Sequence, residues 1–209
     1  RIDPVRFISN RSSGKMGFAV ASAAQAAGAE VVLVAGPVAL ATPPGVRRID
    51  VDDAAQMLEA TFAQIAGTDI FIATAAVADY RPAQPAAKKI KKTSESLALE
   101  MQRTTDILAA VAALAEPPFV VGFAAETDSV AQYARQKLLK KKLDMIAANE
   151  VGHDKVFEKD DNALLVLWRT GRRELPQAPK SELAKQLVAL IAEVYTETRV
   201  ATRQEQVRA

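Results

Sequence analysis

The 209-residue chain carries 27 lysines and arginines against 25 aspartates and glutamates, so its formal charge is +2. This near balance gives no global field that would favour nucleic acid or an anionic membrane as a partner. No cysteine is present, which excludes disulfides, thiolate metal sites and a cysteine nucleophile within this chain. A run of about 18 apolar residues and a signal peptide are both missing, so we expect a cytoplasmic protein without membrane spans.

A single histidine, His153, narrows the possible chemistry. One histidine cannot build a multi-histidine zinc site, and it makes a Ser-His-Asp triad improbable. Because His153 follows a predicted strand among polar residues, a surface role is favoured over a catalytic one.

A polar loop precedes the first predicted helix. Residues 10–14 favour loops and helix N-caps, and an Ala-rich apolar run follows directly. A helix that begins there points free backbone N–H groups and its positive dipole end at the loop, which favours an anion such as phosphate. Arg11 and Lys15 add positive charge. An ordinary capped helix remains the alternative for this loop taken alone.

Short apolar runs rich in β-branched residues alternate with amphipathic or Ala-rich segments along the chain. Such runs are typical of parallel strands covered on both faces, and the alternation predicts a doubly wound, Rossmann-like α/β sheet with its ligand beyond the carboxyl ends of the strands. Strands are predicted at residues 30–35, 46–51, 69–76, 119–125 and 145–148. Helices are predicted at residues 15–27, 54–66, 105–114, 130–143 and 181–195, with Asp52 or Asp53 capping the second.

The two ends of the chain depart from this alternation. Residues 162–175 predict an antiparallel hairpin at the edge of the sheet. We expect residues 1–195 to form one domain and the polar tail 196–209 to fray. No strand precedes the first helix, so either the fold takes that strand from elsewhere or the chain is a truncated form.

The segment from Arg81 to Arg103 is a long insertion between a strand and a helix. It contains prolines and the basic cluster Lys88, Lys89, Lys91 and Lys92. Insertions of this length are usually functional or disordered. We therefore predict a flexible flap that carries lysines over the strand ends, with a solvated basic loop as the alternative.

The first loop lacks the two common nucleotide fingerprints. A dinucleotide site needs Gly-x-Gly-x-x-Gly and an acidic residue after the second strand, whereas the loop offers only Gly14 and Gly17. A Walker A loop needs a hydroxyl residue after Gly-Lys, but Met16 follows Lys15. Both NAD and a P-loop motor are disfavoured, which leaves an anion site of another kind.

Five motifs in order give a resemblance that covers nearly the whole chain. They are residues 3–17 (DPVRFISNRSSGKMG), 75–80 (AAVADY), 89–92 (KIKK), 122–127 (GFAAET) and 147–149 (AAN). Together they closely resemble the bacterial phosphopantothenoylcysteine synthetase family, usually the C-terminal half of a bifunctional coenzyme A biosynthesis flavoprotein.

The resemblance implies a CTP-dependent ligase. In such a reaction the carboxylate of 4′-phosphopantothenate attacks the α-phosphate of CTP, which gives an acyl-cytidylate and pyrophosphate. The amine of L-cysteine then displaces CMP to form the amide. The resemblance further implies Mg²⁺ on the triphosphate with no metal ligand assigned to the protein, a homodimer, and a decarboxylase domain in the parent protein. FMN is not expected in this chain.

The same resemblance assigns roles to individual residues. Lys89 is implied to act in forming the acyl-cytidylate, and Asn10 in its conversion with cysteine. Arg6 and Ala76 belong to the phosphopantothenate neighbourhood. The implied CTP contacts are Ala73, Thr74, Ala75, Asp79, Lys89, Thr105, Asp106, Ile107, Leu108, Phe123, Lys137 and Lys141.

Other interpretations of these residues and of the chain remain open at this point. Lys137 and Lys141 fall on one helix face and could be a solvated charged side. Phe123 could be a core aromatic residue and Asp79 an Asx-turn residue. The chain as a whole could be a catalytically silent nucleotide-binding or dimerisation fragment, and two copies could pair through the edge hairpin.

Overall fold

A computed structural model describes residues 1–92, 95–126, 128–150 and 161–208 of the chain. Its strands are β1 (Val32–Ala35), β2 (Arg47–Asp50), β3 (Ile70–Ala73), β4 (Tyr80–Pro82), β5 (Met101–Arg103), β6 (Phe119–Glu126), β7 (Met145–Glu150), β8 (Asp161–Trp168) and β9 (Arg172–Pro179). Its helices are α1 (Lys15–Ala26), α2 (Ala54–Ile65), α3 (Ile107–Ala112), α4 (Val130–Lys140) and α5 (Lys180–Arg208). His153 lies outside the described residues.

The central sheet has five strands in the order β3-β6-β7-β8-β9. β3, β6 and β7 run parallel, whereas β8 and β9 form an antiparallel hairpin at the edge. The predicted α/β fold with a mainly parallel sheet and an antiparallel edge hairpin is therefore confirmed. The parallel strands are nevertheless divided, because β1 and β2 pair in a separate two-stranded sheet.

Two apolar layers cover the central sheet. On one face Val121 and Met145 pack with α1 and α5, and on the other Val120 and Ile146 pack with α3 and α4. Alternate residues of β6 and β7 thus enter opposite layers, and all four of these side chains are at most 1% exposed. This arrangement explains why both strands read as continuous apolar runs in the sequence.

The structure extends regular secondary structure into two segments. The last helix, α5, runs to Arg208, beyond the predicted helix end at residue 195. Residues 196–208 contain neither glycine nor proline and are rich in helix-forming residues, so nothing in the sequence stops the helix. The flap is also more ordered at its base, where β4 and β5 pair antiparallel. Among the described residues, no helix combines the length and apolarity needed to cross a membrane.

Candidate functional site

The carboxyl end of β3 and the middle of β6 define the first half of the site. The two strands are parallel neighbours with Ala73, the last residue of β3, opposite Gly122, so the loop after β3 lies beside the second half of β6. Ala75 and Ala76 follow β3 and are exposed. Phe123 comes directly after Gly122 and is half-buried against the core. The predicted contacts after β3 and on β6 therefore lie next to each other.

Asp106 is held by a helix and by a lysine at the same time. Its Oδ1 accepts the Ala109 N–H at 3.0 Å and caps the start of α3, while its Oδ2 lies 2.6 Å from the Lys141 ammonium. Partial burial opposes ionisation of this carboxyl, but the Lys141 ammonium and the Ala109 N–H hold its pKa below the usual range. Asp106 is therefore a fixed carboxylate at the edge of the site.

Lys137 lies beside this pair rather than in bulk solvent. Its ammonium donates to the Phe123 carbonyl at 3.0 Å. Burial, and then the neighbouring Lys141 charge, lower the pKa of Lys137, while the carboxylates of Glu126, Asp106 and Asp79 oppose the shift. The prediction that Lys137 and Lys141 share a face is consistent with this cluster, and a purely solvated role for Lys137 is excluded.

Two of the predicted nucleotide contacts face the protein interior. Ile107 is 7% exposed and Leu108 is 8% exposed, and both belong to the apolar layer around α3 and α4. Their side chains are therefore largely enclosed by this layer. Thr105 and Asp106, which precede them, are exposed.

The first loop approaches the end of β3 from the other side. The Asn10 amide Nδ2 donates to the Val77 carbonyl at 3.1 Å, which places Asn10 beside Ala76. Gly14 caps α1 in the left-handed conformation at φ 73°, which glycine adopts without strain. In the first turn of the helix, a Cβ on Gly17 would lie only 2.6 Å from Thr74 Oγ1. The start of α1 thus touches the loop after β3.

The flap and the first residues of the chain are connected. Arg6 donates to the Ile90 carbonyl at 2.9 Å and forms an ion pair with the fully buried carboxylate of Asp3. Lys89 is exposed and precedes Ile90 directly. Within the described ranges, no hydrogen bond or ion pair links Lys89 to the Asp106 and Lys141 pair. The structure therefore groups Lys89 with Arg6.

Sequence reasoning missed Asp3. The signal was present, since an aspartate followed by proline and, three positions on, by arginine is typical of a local turn closed by the aspartate side chain. What the sequence could not reveal is that the same carboxylate reaches Ile90, 87 positions further along the chain.

The arrangement supplies cations, a fixed carboxylate and a helix N-terminus around one edge of the sheet, which suits a phosphate-bearing ligand. The profile of the DNA/pantothenate metabolism flavoprotein C-terminal domain matches residues 1–195. The chain belongs to this family. The match leaves only the last turns of α5 outside the family region.

Individual relatives of the family agree with this assignment. The chain is 52% identical over 196 residues to the coenzyme A biosynthesis bifunctional protein CoaBC of Vibrio cholerae, covering 92% of this chain and 49% of that protein. It is 50% identical over 201 residues to the same-named protein of Escherichia coli K12, covering 94% of this chain and 50% of that protein. The chain therefore spans about half the length of the curated relatives it matches.

A solved structure in the family has the same fold. The crystal structure of the C-terminal domain of a coenzyme A biosynthesis bifunctional protein CoaBC superposes with a TM-score of 0.80 at 38% identity. The superposition covers 94% of this chain and 90% of that one. The family fold therefore extends across both halves of the candidate site.

Proposed function

We propose that this chain joins 4′-phosphopantothenate to L-cysteine at the expense of CTP in coenzyme A biosynthesis. Membership of the family and the CoaBC relatives support the assignment to this pathway. The observation that carries the proposal is the cluster of Asp106, Lys137 and Lys141 beside Phe123 of β6, since the resemblance assigns all three to CTP. The geometry thus agrees with a specific residue assignment rather than with the fold alone.

The first half-reaction is a nucleotidyl transfer. An oxygen of the phosphopantothenate carboxylate forms a bond to the α-phosphorus of CTP, and the bond to pyrophosphate breaks. Such chemistry requires mainly positioning and neutralisation of charge. Lys137 and Lys141 would neutralise the triphosphate from α4, and Lys89 would bring a compact positive charge from the flap.

The second half-reaction forms the amide. The nitrogen of cysteine bonds to the acyl carbon, CMP leaves with the electron pair of the acyl–oxygen bond, and the amine loses a proton. Asn10 is suited to hold the acyl group, because its bond to the Val77 carbonyl fixes the amide orientation and uses only one of its two N–H groups. The other N–H and the amide oxygen would face the substrate.

Mg²⁺ and CTP belong to the proposal as a metal–nucleotide complex. Across the described ranges, no three side chains of the His, Cys, Asp or Glu type come together as metal ligands. Mg²⁺ is commonly bound through substrate phosphates with few protein ligands, so the residues present fit an ion carried by the triphosphate. It would neutralise the phosphate charge that the lysines do not reach.

A homodimer is the proposed assembly. An exposed apolar segment near the start of the chain is a better candidate for the dimer interface than the edge hairpin. Val5, Phe7 and Ile8 are 61%, 66% and 46% exposed. They lie between Asp3, which contacts the flap, and Asn10, which contacts the loop after β3. The β9 edge instead carries charged residues and prolines, which disfavour edge pairing. A second copy of this chain is the proposed occupant. The resemblance also implies a cytoplasmic enzyme whose parent has a decarboxylase domain.

The direct test is pyrophosphate release by the purified chain with Mg²⁺, 4′-phosphopantothenate and either CTP or ATP, with and without cysteine. Release with CTP is expected. Lys89→Gln should abolish it, whereas the neighbouring exposed Lys88→Gln should not. Asn10→Asp should release pyrophosphate but accumulate the acyl-cytidylate.

A second function remains as the alternative outcome of this test. If the chain binds CTP by calorimetry yet releases no pyrophosphate, it is a catalytically silent nucleotide-binding or dimerisation fragment. Release by Lys89→Gln at the wild-type rate would remove Lys89 from the first half-reaction.

A further inference from the structure

Asp3 is the most buried charged side chain in the described part of the chain, with 1% of its surface exposed. A buried carboxylate is costly unless its oxygens are paired and hydrogen-bonded. Both oxygens of Asp3 are satisfied. Oδ1 accepts the backbone N–H groups of Val5 at 2.8 Å and Arg6 at 2.9 Å. Oδ2 accepts Arg6 Nε at 3.0 Å, Arg6 Nη2 at 2.5 Å and the Ile90 N–H at 3.1 Å.

The ion pair of Asp3 and Arg6 binds the flap backbone at both the N–H group and the carbonyl group of Ile90. Asp3 binds its N–H group, and Arg6 Nη2 donates to its carbonyl oxygen at 2.9 Å. The Ile90 N–H belongs to the same planar peptide unit as the carbonyl of Lys89, so the backbone at Lys89 is fixed with it. A further bond joins the Ala86 N–H to the Ile2 carbonyl at 2.9 Å. Flap residues 86–90 are thus tied to residues 2–6.

The contacts of Asp3 indicate that it holds the flap rather than supporting the whole fold. Among the described residues, the hydrogen-bond partners of Asp3 lie in its own turn and in the flap, and neither Val5 nor Ile90 belongs to an apolar layer of the sheet. The Arg6 guanidinium is the main reason that the pKa of Asp3 lies far below its usual range, with burial opposing and the three backbone N–H groups assisting. The carboxylate is therefore ionised whenever the enzyme works near neutral pH.

We propose that Asp3 is a positioning residue that holds Arg6 and the backbone of Lys89 in place for the first half-reaction. This inference rests on the proposed function for its catalytic part. Asp3 does not touch a substrate; it acts through Arg6 and Ile90. Since a misplacement of a charged group by about 1 Å can cost about a hundredfold in rate, fixing the Lys89 backbone is a direct contribution to catalysis.

The test compares Asp3→Asn with Asp52→Asn in the full chain. Asp52 provides a matched control, because it also forms an ion pair with an arginine, Arg1, at 2.7 Å, but its side chain is 57% exposed. The first measurement is residue-resolved amide hydrogen exchange, which needs no activity. In Asp3→Asn the Ile90 amide should exchange about tenfold to a hundredfold faster, the value of a hydrogen bond to a charged acceptor. The Val121 amide in the sheet should be unchanged, and Asp52→Asn should match the wild type at both sites.

The second measurement is CTP-dependent pyrophosphate release. Asp3→Asn should lower kcat by about tenfold or more while the KM for CTP stays within about twofold, because the Asp106 and Lys141 side of the site is intact. Asp3→Glu, which keeps the charge but moves it by one methylene, takes the place of Asp3→Asn if that variant does not fold.

The outcomes separate the two claims. Unchanged exchange at Ile90 would overturn the claim that Asp3 holds the flap backbone, whatever the activity. Faster exchange with a wild-type kcat would overturn the positioning role. A wild-type chain that releases no pyrophosphate would overturn the catalytic role of Asp3 together with the proposed function. The exchange result would still decide whether Asp3 holds the flap backbone.

Discussion

Removal of the Asp106 side chain should separate nucleotide binding from helix capping. Asp106→Ala deletes the cap of α3 and frees Lys141, while Asp53→Ala deletes an equivalent cap on α2. Asp53 Oδ1 accepts the N–H groups of Ala55 and Gln56, each at 3.0 Å, and the resemblance assigns it no contact with the nucleotide. The two variants therefore share a structural defect and differ in their relation to the candidate site.

The expected stability losses are similar in size. An N-cap aspartate is worth about 1 kcal/mol, and an exposed ion pair such as that of Asp106 with Lys141 adds about 0–1 kcal/mol. For a chain of this length each 1 kcal/mol corresponds to about 2–4 °C in Tm. Asp53→Ala should thus lower Tm by about 2–4 °C, and Asp106→Ala by about 2–8 °C.

The affinities for CTP should differ sharply. If Asp106 accepts a hydrogen bond from the nucleotide, its loss should raise the Kd by about tenfold to a hundredfold, the usual worth of a hydrogen bond to a charged group. Titration calorimetry with Mg²⁺ and CTP below both Tm values measures this directly. Equal Kd values for Asp106→Ala and the wild type would refute the contact, and an equal loss in Asp53→Ala would attribute the effect to stability alone.

Three further substitutions probe the layers around the site. Lys137→Met should weaken CTP binding without lowering Tm. Because burial lowers the pKa of Lys137, the stability of the wild type in urea melts should rise with pH between the lowered and the ordinary lysine pKa. A Lys137→Met variant that keeps this rise would show that Lys137 is not its source. Gly122→Ala should cost about 1–3 kcal/mol in urea unfolding, because its Cβ would lie 2.8 Å from a Leu143 methyl; an unchanged midpoint would mean that the leucine moves aside. Leu187→Ala, fully buried in α5 on the face opposite α3, should cost about 2–5 kcal/mol in the same assay yet leave the CTP Kd unchanged, and a weaker Kd would mean that the two layers are coupled.

The sequence predicted best those elements that are buried on both faces. The strands at Phe119 and Met145 begin where expected, because each is a continuous apolar run, and Asp53 was one of two predicted caps of α2. The base of the flap was missed, since Tyr80–Pro82 contains a proline and has no apolar alternation. Its pairing with Met101–Arg103 depends on residues about twenty positions away, which local patterns do not encode.

The candidate site divides in the same way. Spacing alone placed Lys137 and Lys141 on one face of a helix. That the second of them meets Asp106 could be learned only from the tertiary arrangement. Asp3 is the extreme case, because its turn is local but its contact with Ile90 is distant. The resemblance supplied the roles of Lys89 and Asn10, which remain predictions.

The hairpin between β8 and β9 provides a place to attach the protein to a surface or a dye. β8 runs antiparallel to β7 with Trp168 opposite Met145, so the turn at residues 169–171 lies at the amino end of β7. Three strand spacings, about 14 Å in all, separate β8 from β3, whose end is followed by the loop of the candidate site. Gly171 is unsuitable for labelling, because a Cβ there would lie 2.6 Å from the Trp168 ring. Thr170 is exposed, and because the chain has no cysteine, Thr170→Cys would introduce a single thiol for immobilisation on a strand pair that does not border β3.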